Sequence, residues 1–330
     1  MTAADQAGTM KAIVHTTYGS PDVLELREIE KPDVADDGVL VRVRAASVNP
    51  ADWYGIAGRP WLARPMMGLR KPKSPEVGAD FAGTVEAVGR DVTQVRPGDD
   101  VFGRSGTFAE YVCVPEDRVA LKPATVTFEQ AAAVPVAAIT ALQSLRDKGQ
   151  VEPGHKVLVN GASGGVGTFA VQIAKALGAE VTAVCSTRNV DLVRSLGADH
   201  VIDYTREDFT QTDQRYDLLL DIAGSRSWRE VRRVLHPQAT LVIIGGPKGT
   251  RLLGPLSHIV KVKLASVRSR RKVVFFVAKI VKADLEVVRE LLESGQVTPV
   301  VDRRYELSET ADAFRYLGEG HAQGKLVIAV

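Results

Sequence analysis

From Val157 to Gly178 the chain runs through an apolar strand, a glycine-dense turn and an amphipathic helix without a break. Val157, Leu158 and Val159 precede Gly161, Gly164, Gly165 and Gly167, and Ala170, Ile173, Ala174 and Leu177 then recur at helical spacing. This order is that of a dinucleotide-binding turn. Gly164 lets the backbone approach a pyrophosphate with no Cβ in the way, Gly167 lets helix and strand pack closely, and the helix N-terminus offers unpaired N–H groups. The first glycine of the usual pattern is displaced, because Ala162 holds its place and Gly161 precedes it. With Ser163 and Val166 between the glycines, residues 163–167 are the expected phosphate cradle.

The second strand, Val181 to Cys185, ends in Ser186, Thr187 and Arg188, where an NAD-selective site carries an acid; the next acid is Asp191. A carboxylate repels a 2′-phosphate, whereas a guanidinium grips one with paired hydrogen bonds, so the expected cofactor is NADPH. Tyr204, closing the third strand from His200, lies at the same sheet edge and is a further contact for the adenosine end.

A length of 330 residues fits about two domains, and the apolar content is ordinary for a globular protein. Residues 1–8 read as a loose tail without the form of a signal peptide, and the most apolar run, Ala131 to Leu142, is too short to span a bilayer. The expectation is a cytoplasmic protein. Cys113 and Cys185 are too few for a disulfide framework or a cysteine-rich zinc site and read as core. A net charge of +2 provides no general field for nucleic acid.

Up to about Lys122 short strands are broken by Gly and Pro, at 12–15, 39–45, 83–89, 100–102 and 108–114, which suggests a small β-barrel. From Glu129 helices alternate with six apolar strands, at 156–160, 180–185, 200–204, 218–222, 240–245 and 272–277, which implies a doubly wound parallel sheet. The tail returns to strand, helix and strand from Val297. The fold class is therefore α/β, with a barrel domain of 1–122 plus 298–330 and a Rossmann domain of 123–297.

The pieces Ser47 to Asp52, Gly78 to Gly89, Val95 to Gly103, Gly161 to Gly167 and Gly324 to Val327 occur in the right order to match one family. Over essentially its whole length the chain resembles the zinc-independent quinone-oxidoreductase branch of the medium-chain dehydrogenases/reductases. The resemblance implies a GroES-like barrel beside the Rossmann domain. Zinc-dependent relatives carry a ligand Cys where Asn49 stands, a His-Glu pair where Ala79 and Asp80 stand, and a third ligand near Val136; none survives here, so no metal is expected. Without a Lewis acid the favoured substrate is an apolar, planar acceptor, a quinone or an α,β-unsaturated carbonyl, that spreads the arriving charge itself.

Asn49, Asp52 and Tyr54 are the expected catalytic residues. Asn49 is directed by resemblance at the nicotinamide or substrate carbonyl, and Asp52 orients its loop. Thr140, Gly245, Gly246 and Lys325 match cofactor-contacting positions of the family. The aromatic and methionine-rich stretch Trp53 to Met67 suggests an apolar wall for the acceptor, and Arg70 to Lys73 reads as a charged loop. The basic stretch 254–272 reads as a helix with its Leu256, Ile259, Val260, Leu264 and Val267 face packed. The apolar strand 272–277, last in the sheet, is expected to pair with a second copy in a homodimer. Two other readings stand beside this one: an enoyl-thioester reductase, and a non-catalytic crystallin-like or RNA-binding protein.

Overall fold

The structure is a computed structural model and describes residues 8–104, 106, 108–246 and 256–330. The tail 1–7 and the start of the basic stretch, Gly254 and Pro255, lie outside the described residues. In chain order the elements are β1 (Thr9–Val14), β2 (Glu25–Glu30), β3 (Gly38–Ser47), α1 (Pro50–Ile56), α2 (Arg64–Met67), β4 (Asp80–Val88), β5 (Asp100–Arg104), β6 (Tyr111–Pro115), β7 (Val119–Leu121), α3 (Phe128–Ala132) and α4 (Pro135–Gln143). There follow β8 (Lys156–Asn160), α5 (Gly165–Ala176), β9 (Glu180–Cys185), α6 (Val190–Ser195), β10 (His200–Asp203), β11 (Tyr216–Asp221), α7 (Trp228–Val231), β12 (Leu235–Ile243), α8 (Leu256–Ser266), β13 (Lys272–Phe275), α9 (Lys282–Glu293), β14 (Val301–Glu306), α10 (Thr310–Glu319) and β15 (Lys325–Ala329).

The chain divides into two compact units. One runs to Val136 and takes in Ile280–Gly295 and Pro299–Val330; the other holds Ala137–Lys279 and Gln296–Thr298. This division differs from the expected one at both joins. The boundary falls inside α4, and α9 packs on β7 of the first unit rather than belonging with the parallel sheet. Gln296–Thr298 stays with the second unit because the Gln172 amide donates to the Thr298 carbonyl and accepts from its N–H, at 3.0 and 2.8 Å.

The first unit is built on a seven-stranded sheet, β14-β15-β3-β4-β5-β7, with β6 also on β3. Its inward residues are β-branched or aromatic, and Val39, Val41, Phe81, Val101 and Val119 are fully buried. The hairpin β1-β2 completes it. Sequence reading missed β2 because Glu25, Arg27, Glu28 and Glu30 are exposed and leave no apolar alternation.

The second unit is a six-stranded parallel sheet in the order β10-β9-β8-β11-β12-β13. All six strands overlap those expected from sequence, although β12 already begins at Leu235 and β13 ends at Phe275. Because β8 comes first and lies between β9 and β11, the order reverses at the β8/β11 pair, where the carboxyl ends of such a sheet form a ligand crevice. On α8 the packed face differs from the expected one. Ile259 and Val262 are buried against the sheet, while Val260, Leu264 and Val267 stand exposed. Among the described residues no helix is long and apolar enough to cross a membrane.

Candidate functional site

In the second unit the chain leaves β8 through Gly161, whose φ of +93° lies in the region that favours glycine. Gly161 thus makes the tight turn that the displaced first glycine of the pattern would make. Its N–H and that of Ala162 donate to the Val184 carbonyl at 3.2 and 3.1 Å, fixing the turn to β9. Gly167 could carry no side chain, since a Cβ there would lie 2.1 Å from the Gly161 carbonyl oxygen. Gly164 is different: a Cβ would meet only the Gly161 oxygen, at 3.6 Å, so the space over the turn is open. Gly164 is also the N-cap of α5, with no side-chain hydrogen bond across the helix end. The first-turn amides of Gly165, Val166 and Gly167 have no partner within an α-helix by geometry, and face a position suited to phosphate.

Ser186, Thr187 and Arg188 follow β9, with Arg188 and Tyr204 exposed. Sequence reading overlooked an acid that space brings here. Asp203, ending β10, accepts from the Thr187 hydroxyl at 2.5 Å and from the Thr205 N–H and hydroxyl at 3.0 and 2.7 Å. These bonds, led by Thr187, hold its carboxyl below the usual range. Both oxygens are thereby occupied. Asn189 was also missed; its buried amide donates to Ser163 at 2.8 Å and Ser186 at 3.2 Å, linking the glycine turn to the end of β9. Its Oδ1 is buried with no hydrogen-bond partner among the described residues. An open turn, an uncapped helix start and an orphaned acceptor together fit a dinucleotide.

Across the switch point the Asn160 amide and the Gly224 N–H both donate to Asp221 Oδ1, at 2.8 and 2.9 Å. Gly245 follows β12 against this loop, where a Cβ would fall 2.1 Å from the Ile222 oxygen, and a Cβ on Gly224 would fall 2.4 Å from the Gly246 Cα. Thr140 sits on α4, its carbonyl accepting from the Ser144 hydroxyl at 2.6 Å. Burial pushes the Cys185 thiol up to about 11, as suits a core residue.

The first unit holds a buried charged cluster. Asp80, wholly buried, accepts on Oδ2 from Ser47 Oγ at 3.0 Å and Asn49 Nδ2 at 2.9 Å, and on Oδ1 from the Val136 N–H at 3.1 Å. The Lys325 ammonium donates to Asn49 Oδ1 at 2.6 Å and the Val48 carbonyl at 3.0 Å, and lies 3.6 Å from Asp80. This network assigns the Asn49 amide, since a flipped amide would turn its NH2 on an ammonium. Asp52, on α1, accepts the Asn49 N–H at 2.9 Å. Burial, then the Asp80 charge, pushes its carboxyl up to about 7 against the pull of Lys325. Burial likewise raises Asp80 and lowers Lys325.

Asn49, expected to point at nicotinamide or substrate, has both amide heavy atoms engaged by Asp80 and Lys325. Lys325, expected on the cofactor, has its ammonium turned into the first unit, because a buried cation needs nearby acceptors. Tyr54 is half-buried beside Trp53, ring centroids 5.4 Å apart, and burial raises its hydroxyl.

Residues 35–124 match the family model of the alcohol dehydrogenase GroES-like domain, and residues 196–328 match that of the zinc-binding dehydrogenases. The chain is 34% identical to a 2-methylene-furan-3-one reductase of Solanum lycopersicum, over 97% of this chain and 79% of that one. It is 34% identical, with the same coverage, to the chloroplastic NADPH-dependent alkenal/one oxidoreductase of Arabidopsis thaliana. Among solved structures, the quinone oxidoreductase of Coxiella burnetii superposes with a TM-score of 0.85 at 30% identity, covering 98% of this chain and 100% of that one. The GroES-like strands, the glycine turn at the switch point and these similarities lead to one conclusion: the chain belongs to the quinone-oxidoreductase-like medium-chain dehydrogenases/reductases and is an NAD(P)H-dependent oxidoreductase.

Proposed function

We propose that the protein is an NADPH-preferring, zinc-independent reductase of a quinone or an α,β-unsaturated carbonyl. The observation that carries this reading is the Asn49–Lys325–Asp80 cluster. By family resemblance Asn49, Ala79 and Val136 stand where zinc-dependent relatives have metal ligands, and here Asn49 and the neighbouring Asp80 answer an ammonium ion. The carboxylate of Asp80 already has a cation and three hydrogen-bond donors, and Asn49 Oδ1 has the ammonium at 2.6 Å. A tetrahedral zinc site needs converging N, S or O ligands, and this set offers none free. The curated relatives named for a methylene-furanone and for alkenals and enones, and the solved quinone oxidoreductase, support a conjugated acceptor.

NADPH supplies a hydride when bound; the chain's own groups bind, orient and hold a proton. The amides of residues 165–167 are suited to the pyrophosphate. Arg188 is suited to the 2′-phosphate, and the Asp203 carboxylate beside it is engaged by Thr187 and Thr205. Asp52, its carboxyl pushed up to about 7, holds a proton in a good fraction of molecules at neutral pH. The cluster around Asp80 fixes the start of α1 and with it Asp52 and Tyr54. A C₂ homodimer through the exposed edge of β13 and a cytoplasmic location belong to the same reading, supported by the apolar edge residues Val273 to Val277 and by two unpaired cysteines.

The test is NADPH consumption against four acceptors in parallel: a benzoquinone, a short enone, an enoyl-CoA and a saturated aldehyde, each with and without prior chelation. Turnover with the quinone or enone, undiminished by chelation, is expected. Preference for enoyl-CoA would move the protein to the thioester reductases. Stoichiometric zinc in the purified protein, with activity lost on its removal, would refute metal independence, and no consumption at all would make it a nucleotide binder.

A further inference from the structure

Between Asp52 and Glu76 the chain has no acidic residue, yet it carries Arg59, Arg64, Arg70, Lys71 and Lys73, in a protein whose net charge is only +2. The same segment holds an unusual run of exposed apolar side chains: Trp61 is 48% exposed, Leu62 60%, Met66 80% and Leu69 70%. Its first part goes the other way, with Trp53 and Ile56 packed into the core of the first unit. The acceptor wall expected from sequence therefore splits into an inward half and an outward half.

The outward half is held in place. The Tyr18 hydroxyl donates to the Gly68 carbonyl at 2.8 Å, Arg64 Nε donates to the Gly58 carbonyl at 3.0 Å, and the Lys73 N–H donates to the Met67 carbonyl at 2.8 Å. The Arg64 guanidinium stacks over the rings of Tyr18 and Trp61, at 4.8 and 5.5 Å. Gly68 takes a φ of +122°, and a Cβ there would lie 2.0 Å from the Lys71 oxygen. A pinned backbone thus presents Trp61, Leu62, Met66 and Leu69 to solvent, with the exposed cations Arg70, Lys71 and Lys73 following directly.

A second exposed apolar group among the described residues, Val260, Leu264, Val267 and Val277, belongs to α8 and the segment around the β13 edge, where a second copy is proposed to pair. The segment at residues 59–73 does not suit a second copy, because a twofold contact would bring two such uncompensated cationic segments together. Tryptophan, leucine and methionine beside uncompensated cations match an anionic bilayer surface, where rings and thioethers enter the headgroup boundary and the cations meet phosphate.

We propose that residues 59–73 dock this protein peripherally on anionic lipid membranes. Trp61, Leu62, Met66 and Leu69 insert, and Arg70, Lys71 and Lys73 hold the headgroups. That this contact brings the enzyme to bilayer-dissolved apolar acceptors rests on the reductase reading; the contact itself does not.

The experiment is co-sedimentation of the full chain with phosphatidylglycerol/phosphatidylcholine vesicles and with pure phosphatidylcholine vesicles, read alongside Trp fluorescence. Binding to the anionic vesicles with a blue shift is expected, with at least about tenfold less on the neutral ones and loss at about 1 M salt. Two variants separate the parts. Trp61→Ser with Met66→Ser and Leu69→Ser, and Arg70→Glu with Lys71→Glu and Lys73→Glu, should each weaken vesicle binding about tenfold or more. Both should keep the parent's melting temperature, so that weaker vesicle binding reports the surface and not the fold. Absence of binding to anionic vesicles, or binding that neither variant weakens, overturns the proposal. So does a change of oligomeric mass in the apolar variant, which would mark a protein interface, or protection of the segment by free CoA, which would mark a substrate subsite. Sedimentation needs no turnover, so an enzyme inactive on every acceptor would sink the reductase reading and leave this one standing.

Discussion

Replacing Lys325 with Met tests the buried cluster directly. The Lys325 side chain is 4% exposed, and its ammonium is the cation facing Asp80 at 3.6 Å. With an effective dielectric of about 20, a charge pair at that distance interacts by about 4 to 5 kcal/mol. Loss of Lys325 also strips a donor from Asn49 Oδ1 and the Val48 carbonyl, at about 1 to 3 kcal/mol for each buried acceptor left bare. Against this, Met fills the stem's volume and removes the cost of burying an ammonium, so the net loss should be about 3 kcal/mol at pH 8, in the range for breaking a buried pair. The loss must depend on pH. Burial already raises Asp80 and Asp52, and without the cation both rise further, so the folded variant holds protons that the unfolded chain has released. Stability relative to the parent then falls as pH climbs through the folded values, and the penalty should shrink to about 1 to 2 kcal/mol near pH 5. Urea unfolding followed by Trp fluorescence, with Trp53 in the same unit as reporter, should show a midpoint lower by about 1 M or more at pH 8 and clearly less at pH 5. An equal loss at both values, or one below about 0.5 kcal/mol, would refute the argument. NADPH affinity should change by less than about twofold, since the ammonium is engaged inside its own unit. A large drop would show instead that Lys325 reaches the cofactor, as the sequence expectation has it.

Much of the second unit was legible because its strands are apolar runs and its turn is spelled in glycines; even the displaced first glycine has a visible stand-in in Gly161, whose positive φ does the turning. The buried cluster was legible only as separate letters. Lys325 and Asp80 are 245 positions apart, and a lone C-terminal lysine gives no sign that β15 will place it inside the sheet. Asp203 was invisible as a neighbour of Thr187 for the same reason: the parallel pairing of β9 and β10 brings it there, not sequence spacing. On α8 two apolar stripes compete, and periodicity alone assigned the outer residues Val260, Leu264 and Val267 to the packed face that Ile259 and Val262 occupy. In residues 61–69 composition was plain but direction was not, because a four-residue helix has too few turns to declare a face.

Arg188→Ala should weaken NADPH binding by about tenfold or more while leaving NADH nearly unchanged, as loss of a charge-assisted phosphate contact of about 1.5 to 3 kcal/mol requires. Equal affinity of the parent protein for the two cofactors, measured by titration calorimetry, would remove the NADPH preference. Leu264→Lys with Val277→Lys, both on exposed side chains, should convert the proposed dimer to a monomer in light scattering at micromolar concentration without lowering the melting temperature; a parent protein that is already monomeric would show that the β13 edge has no partner. The last test concerns Asp52. Its carboxyl is pushed up to about 7 in the fold, above the ordinary value near 3.8. Between those limits the folded state holds a proton that the unfolded chain has lost, so this group's contribution to stability is present at low pH and is lost as pH rises through about 7. Asp52→Asn keeps an oxygen to accept the Asn49 N–H but cannot ionise. The variant should therefore gain stability relative to the parent on going from about pH 4 to about pH 8, with the parent's decline over that window flattened. A difference between the two proteins that stays constant across the window would mean that Asp52 ionises in the fold as it does in water, and the proton-holding role assigned to it would fall with that result.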